Sequence, residues 1–273
     1  TQSSRWTSLS KSLENIGSKM KSIGDGLTGA GSKLSLAVTA PIAAAGAASI
    51  RLASDTAESM NKVEVAFGSV SQKVKDWSDT TLKSYGIAKG TALDMSALYG
   101  DMATSMGLSQ EEAAKMSMSL VGLAGDLSSF KNIDIKQAEE ALNGIFTGET
   151  ESLKMLGVVM TDANLQQYAY SKGIQKRTQD MTEAEKVQLR YNYVLDKTKN
   201  AHGDFERTGA GTANQMRVFQ ESLKELGATM GQNILPVITP IIAALNEWIQ
   251  AFGKLDQGSQ RIILITGALI AAI

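Results

Sequence analysis

The sequence predicts an all-α protein, and three observations carry that reading. Apolar residues recur three and four apart along most of the chain, with no clear period-two alternation of the strand kind. Only three prolines, Pro41, Pro236 and Pro240, occur in 273 residues, so long helices can run uninterrupted. Two helix starts are written out as capping boxes, Ser109 with Glu112 and Thr182 with Glu185. Aromatic residues make up 5% of the chain against 43% hydrophobic residues overall, which favours helices packed together through small side chains. The expected architecture is an extended multi-helix array with an N-terminal heptad segment and an apolar C-terminal helix.

The first segment places Trp6, Leu9, Leu13, Ile16, Met20, Ile23 and Leu27 at alternating steps of three and four. That is a heptad seam, and a stripe so narrow calls for a partner helix. An ordinary amphipathic helix packed on its own domain fits the same spacing, since Gly17, Gly24 and Gly26 interrupt it. Residues 34–50, between Lys33 and Arg51, carry no charge over nearly a membrane-spanning length. Their Ala, Gly and Ser content and the central Pro41 favour a close-packed helix over a membrane span. From Arg51 to about Asp126 the pattern is helical, with Ala53, Ala57, Met60, Val63 and Phe67 on one face. Val70, Val74, Trp77, Thr81 and Leu82 continue it beyond Gly68, and Met116, Leu120, Leu123 and Leu127 follow the Ser109 cap. Met95, Met102, Met106, Met116 and Met118 read as core filling rather than as ligands.

A glycine-punctuated middle, residues 143–163, predicts short helices joined by turns. Thr182 opens a helix expected to reach about His202, and Gly203, Gly209 and Gly211 mark a flexible link before a helix through Met230. Pro236 and Pro240 are expected at a further helix start, where their missing N–H groups cost nothing. Ile238, Ile241, Leu245, Trp248 and Phe252 would line one side of it, with Asn246, Glu247 and Gln250 on the other. A turn over residues 254–258 and a Ser259 cap lead into the apolar run Arg261 to Ile273. The organisation expected is a coiled-coil-like segment (1–33), a helical core region (34–202), a linker with amphipathic helices (203–258) and the start of an apolar, membrane-entering segment (259–273). Both ends read as cut from something longer.

Candidate chemistry is scarce. His202 is the only histidine and cysteine is absent, so neither a zinc site of the usual type nor a thiol nucleophile is expected. Glu149 and Glu151 stand two apart, where helical side chains diverge, and suit a helix's first turn better than an acid/base pair. Gly29-Ala-Gly31 and Gly209-Ala-Gly211 lack the preceding strand that a dinucleotide fingerprint needs. Lys172, Lys176 and Arg177 form a small basic cluster that reads as a solvated face. With 27 Lys and Arg against 28 Asp and Glu, the chain as a whole has no electrostatic footprint for nucleic acid. No catalytic, cofactor-binding or metal residue is assigned, and a helical scaffold or interaction protein is expected rather than an enzyme.

Several segments taken together carry a resemblance. They are Ala53-Ser-Asp-Thr-Ala-Glu-Ser-Met60, Gly144-Ile-Phe-Thr-Gly-Glu149 with Leu153-Lys-Met-Leu-Gly157, and Met181-Thr-Glu-Ala-Glu-Lys with Arg190-Tyr191. Ala201-His-Gly-Asp-Phe205 then leads into Thr212-Ala-Asn-Gln-Met-Arg217, and Leu226-Gly227 into Leu235-Pro236. Their order and spacing, from about residue 34 onward, resemble the core region of bacteriophage tail tape-measure proteins, a family also found in prophages and phage-tail-like particles. The resemblance implies a non-catalytic structural protein, without cofactor, that lies in the tail lumen, sets tail length during assembly in the host cytoplasm and leaves ahead of the DNA. It implies self-association, as a homotrimer, and contacts with the tail-tube protein, tail-tip or baseplate proteins and assembly chaperones. On ejection the partner is the host membrane, and sequence-specific nucleic-acid binding is not expected. On this reading residues 261–273 begin a membrane-entering segment; the alternative is that they fold back as a core helix. A self-contained pore-forming toxin is the rival reading, and a cell-wall hydrolase a more distant one.

Overall fold

The computed structural model describes residues 36–253, and every regular element among them is helical. The all-α class read from the sequence is therefore what the chain adopts. The N-terminal heptad segment, Gly29 to Gly31, the turn at 254–258, Ser259 and the apolar run at 261–273 lie outside the described residues. Two units divide the chain: Ala48–Gly231, and Thr1–Ala47 with Gln232–Ile273. The described parts of the second unit are helical throughout. The hydrophobic core described below belongs to the first.

Helix α1 (Leu36–Phe67) runs as one piece through the small-residue stretch. Its buried positions in the first unit include Ala53, Thr56, Val63 and Phe67, with Met60 half-buried. Ala57, expected on this face, is exposed, and Thr56 is buried instead. Thr56 can be buried because its hydroxyl donates to the Leu52 carbonyl one turn back, at 2.8 Å. Gly68, at φ 50°, breaks the helix into a short 3-10 turn, Gly68–Val70. Then come α2 (Ser71–Ser78) and α3 (Thr81–Tyr85), the latter closed by left-handed Gly86.

Two long helices form the centre, α4 (Lys89–Ser105) and α5 (Gln110–Lys131). The Ser109 capping box starts α5 as the sequence predicts, with Ser109 N donating to the Glu112 carboxylate at 3.1 Å and Glu112 N to Ser109 Oγ at 3.3 Å. Every residue from Leu120 to Ser128 in α5 is buried, so this helix is surrounded by its neighbours. Met95 and Met116 are buried, while Met102, Met106 and Met118 pack against the core from its edge, as core-filling methionines should.

Glycine has a second use here beyond the helix ends and joints that the sequence suggests. A Cβ on Gly100, inside α4, would meet the Phe67 ring, and one on Gly125, inside α5, would lie 2.7 Å from the Tyr85 carbonyl oxygen. Both are close-approach points within helices, where backbone must come up against a neighbour.

Helix α6 (Ile135–Leu142) starts at a third capping box, Asp134 with Gln137, which the sequence reading did not pick out. The middle does consist of short pieces: α7 (Gly144–Thr147), a 3-10 turn over Ser152–Leu156 and α8 (Asp162–Ser171). Gly148 at φ 79° and Gly157 at φ 80° close the first two. The Thr182 box opens α9 (Glu183–Lys197), which ends five residues short of His202. There the Thr198 hydroxyl turns back to the Val194 carbonyl at 2.8 Å. The expected flexible link instead contains a short helix, α10 (Asp204–Thr208), held from two sides as described below.

The last helix, α11 (Thr212–Gly253), corrects the expected break before Pro236 and Pro240: both prolines lie inside one continuous helix. Each removes one backbone hydrogen bond, which would leave the carbonyls of Gln232 and Pro236 without it. Gln232, Pro236 and Pro240 are all exposed, so water can reach those carbonyls and the helix continues. Ile238, Ile241 and Phe252 are partly buried while Asn246, Glu247 and Gln250 are exposed, as the two sides assigned from the sequence require; the side chains of Leu245 and Trp248 lie outside the described residues.

Candidate functional site

Helix α11 has its polarity reversed within the first unit. The face toward the body is polar. Asn214, buried, donates to Ser129 Oγ at 2.8 Å and to Thr208 Oγ1 at 2.9 Å. Arg217 donates to the Ser128 carbonyl at 3.1 Å and the Ile133 carbonyl at 3.4 Å, at the C-terminal end of α5. Glu221, also buried, accepts from Ala88 N at 3.1 Å, and Glu225 accepts from Lys89 N at 2.8 Å, at the N-terminal end of α4. A helix leaves N–H groups unpaired at its start and carbonyls unpaired at its end, with partial charges to match. The carboxylates of α11 meet the first kind and its guanidinium the second. Burial lowers the Arg217 pKa, against the pull of Asp134 and Glu221. Farther along, Gly227 and Gly231 let α1 come close, since a Cβ on Gly227 would lie 2.7 Å from the Leu52 side chain.

The opposite face of α11 is apolar and open. Met216, Phe219, Leu223, Leu226 and Met230 are each 51–58% exposed. They stand at steps of three, four, three and four, so they fall in one narrow line. An amphipathic helix ordinarily buries such a line and turns its charges outward. The sequence contains this spacing, but reading it as a buried stripe would have assigned the two faces the wrong way round. The available signal was the confinement of Arg217, Glu221 and Glu225 to the opposite arc.

A second polar cluster holds the segment just before α11. Asp126, buried in α5, accepts from Gly203 N at 2.7 Å and Phe205 N at 3.1 Å. Burial pushes its carboxyl above the ordinary range, against the lowering effect of those two N–H groups. Asp204 accepts from Ser129 Oγ at 2.6 Å, and Thr208 stands 3.0 Å from the same hydroxyl. The Phe205 ring fills the space beside Gly86 that a Cβ would occupy. His202 is exposed at the edge of this cluster. Its Nε2 lies 3.3 Å from Thr198 Oγ1, and its carbonyl accepts from Arg207 at 2.6 Å. The histidine thus sits in a turn, beside groups that hold that turn.

The remaining residues singled out in the sequence do not converge. Glu149 and Glu151 precede the 3-10 turn at Ser152, and Glu151 pairs with Lys154 at 2.8 Å. Lys176 pairs with Glu185 at 2.6 Å and Arg177 with Asp180 at 2.8 Å, while Lys172 stands over the Tyr168 ring. That basic cluster is a solvated face, as the sequence predicts. Gly209 to Gly211 forms the turn between α10 and α11. An open groove of about 480 Å³ runs past Tyr168, Lys172, Asp196 and Lys199, with Asp196 its one carboxylate. Among the described residues no three His, Cys, Asp or Glu side chains gather as metal ligands would.

No protein-family model, no curated protein and no solved structure matches this chain.

Proposed function

We propose that this chain is the core region of a phage tail tape-measure protein, a structural element of the tail lumen that sets tail length and later helps the genome across the host membrane. One observation supports the reading beyond the order of the segments: those segments meet in the fold. Arg190, in one of them, donates to the carbonyls of Ile145 and Phe146, in another, at 3.2 and 3.3 Å. A Cβ on Gly148 would crowd that guanidinium, at 3.1 Å. Likewise Asn214, in the Thr212-to-Arg217 segment, bonds to residues that hold the Ala201-to-Phe205 segment in place. A pattern made of such mutually dependent residues is the kind that one helical frame requires. The residues serve as joints, in a protein without catalysis or cofactor.

In this reading the chain associates with copies of itself as a trimer through the N-terminal seam, and Leu13→Asp with Met20→Asp breaks that seam. It contacts the tail tube, tail tip and assembly chaperones, and reaches the host membrane only on ejection. The deciding experiment is an in-frame deletion of helical residues from the full reading frame, followed by electron microscopy of the tails. Removing about 100 helical residues should shorten the tail by roughly 150 Å, because a helix advances about 1.5 Å per residue. Tails of unchanged length sink the proposal.

A second reading, a membrane-active pore-forming protein, draws on one helix stretch. Residues Thr212–Ala244 are long and apolar enough to cross a membrane, and their apolar window is 6% buried. Dye leakage from liposomes on adding the purified chain, with tails unaffected by the deletion, would favour it. Assays on peptidoglycan, ester and peptide substrates address the hydrolase reading. Turnover lost on His202→Ala would establish an enzyme.

A further inference from the structure

We infer that the open face of α11, from Met216 to Met230, is the seam at which a second copy of this chain docks, helix against helix. The inference does not depend on the tail reading and uses a different surface from the N-terminal seam. Three features fix the occupant.

The first is spacing. Five large apolar side chains in one line at steps of three and four, all about half exposed, present the pattern that packs against an identical line in a coiled coil. The second is charge. The positions that border the line on α11 are Gln220, Ser222 and Thr229, none of them charged, and Gly227, where α1 packs. Identical copies can therefore meet there without like-charge repulsion, and nothing in the border selects a partner of opposite charge. A membrane surface would want Lys or Arg along that border. Instead Arg217 is committed inward to the end of α5, and Lys224 pairs with Glu221 at 2.5 Å. The third is area. Half of five side chains of this size amounts to roughly 500 Å² on each copy, or about 1,000 Å² for the pair. That total reaches the lower bound for a specific interface, and the patch on each copy is at the upper end of what monomers leave open.

The inward polar contacts make the arrangement workable. Glu221, Glu225 and Arg217 fasten α11 to the ends of α4 and α5 without using any of the five apolar residues. The helix is thus held at its back, and among the described residues nothing covers the line.

Sedimentation of the full chain across the micromolar range tests this, comparing the wild type with the Leu223→Glu, Leu226→Glu double variant. Both positions are exposed, so helicity by circular dichroism should be unchanged. The wild type should associate, and the variant should lose about a hundredfold or more in association constant, because carboxylates would enter the apolar seam. Repeating the pair of measurements on a Leu13→Asp, Met20→Asp chain separates this surface from the N-terminal one. A monomeric wild type, or association untouched by the glutamates, overturns the inference. So does wild-type chain that floats with neutral or anionic vesicles through this face while remaining monomeric. If the glutamates reduce helicity, disulfide trapping decides, since the chain has no cysteine of its own. Leu223, at the centre of the line, faces its counterpart in a parallel pair and Leu226 in an antiparallel one. On mild oxidation Leu223→Cys alone should form a covalent dimer in the first case, and Leu223→Cys mixed with Leu226→Cys in the second, whereas Lys115→Cys should not. No covalent dimer from either combination overturns the inference.

Discussion

Two interior glycines show how one residue type reaches opposite outcomes through its surroundings. A Cβ on Gly100 meets the Phe67 ring, which is itself wholly buried, so Gly100→Ala must displace packed atoms. We expect it to cost about 1–3 kcal/mol in denaturant unfolding, the usual range for overpacking. Gly46, also within a helix, has nothing within 4 Å of the Cβ site. Gly46→Ala should therefore stabilise its helix by up to about 1 kcal/mol, from propensity alone. Equal effects at the two sites would contradict the close approach at Gly100. Asp126 carries the other residue-level expectation. Its folded carboxyl titrates above the ordinary 3.8 because of burial, so the folded state holds the proton more tightly than the unfolded chain. The stability it contributes is full below that ordinary value and falls as pH rises through the raised one. Asp126→Asn should remove this slope. It should also cost about 1–3 kcal/mol, because an amide cannot accept from both Gly203 and Phe205 as a carboxylate does. In unfolding free energies measured from acid to neutral pH, the wild type's margin over the variant should narrow as pH rises through the raised value without vanishing.

At the scale of elements, the contact between α11 and the body rests on charges placed at helix ends. Replacing Glu221 and Glu225 together by Gln retains shape and weakens the bonds to Ala88 N and Lys89 N, since the ionised acceptor is lost. The start of α11 should then lift more readily, and protease should cut faster in the turn at 209–211. Cleavage there should rise severalfold with global unfolding shifted by only about 1–3 kcal/mol. Unchanged cleavage would mean that the two glycines, Gly227 and Gly231, hold α11 against α1 without help from the carboxylates. Elements α5 and α9 need no such outside support at their starts, because each carries its own capping box.

At the scale of the molecule, the unit Ala48–Gly231 holds one contiguous core, from Val63 in α1 to Ala201 beyond α9. Short connections and local helix pairs dominate it, and among the contacts that join distant parts are the polar joints at Asp126, Arg190 and Glu221. A fragment of residues 48–231 should accordingly be helical on its own and unfold in a single cooperative transition by circular dichroism and tryptophan fluorescence alike. Non-coincident transitions by the two probes would show that the core is divided. This expectation is independent of whether the chain serves in a tail.

Local sequence patterns suffice for the helical class, the starts at Ser109 and Thr182, the short pieces between 143 and 163, and the methionines of the core. Each depends on interactions within a few residues, such as a hydroxyl reaching the third N–H onward or an apolar residue recurring once per turn. The Asp134 box was legible by the same rule, and the line from Met216 to Met230 by the same spacing. Tertiary structure alone decided which way that line points, because only the distant ends of α4 and α5 supply partners for Glu221, Glu225 and Arg217. It also decided that Thr56 rather than Ala57 turns inward, that Gly100 and Gly125 are contact points, and that α11 runs on through two exposed prolines. None of these is set by neighbours in sequence. Each depends on what stands across a helix interface or on whether water reaches a carbonyl, and a chain read in one dimension contains neither.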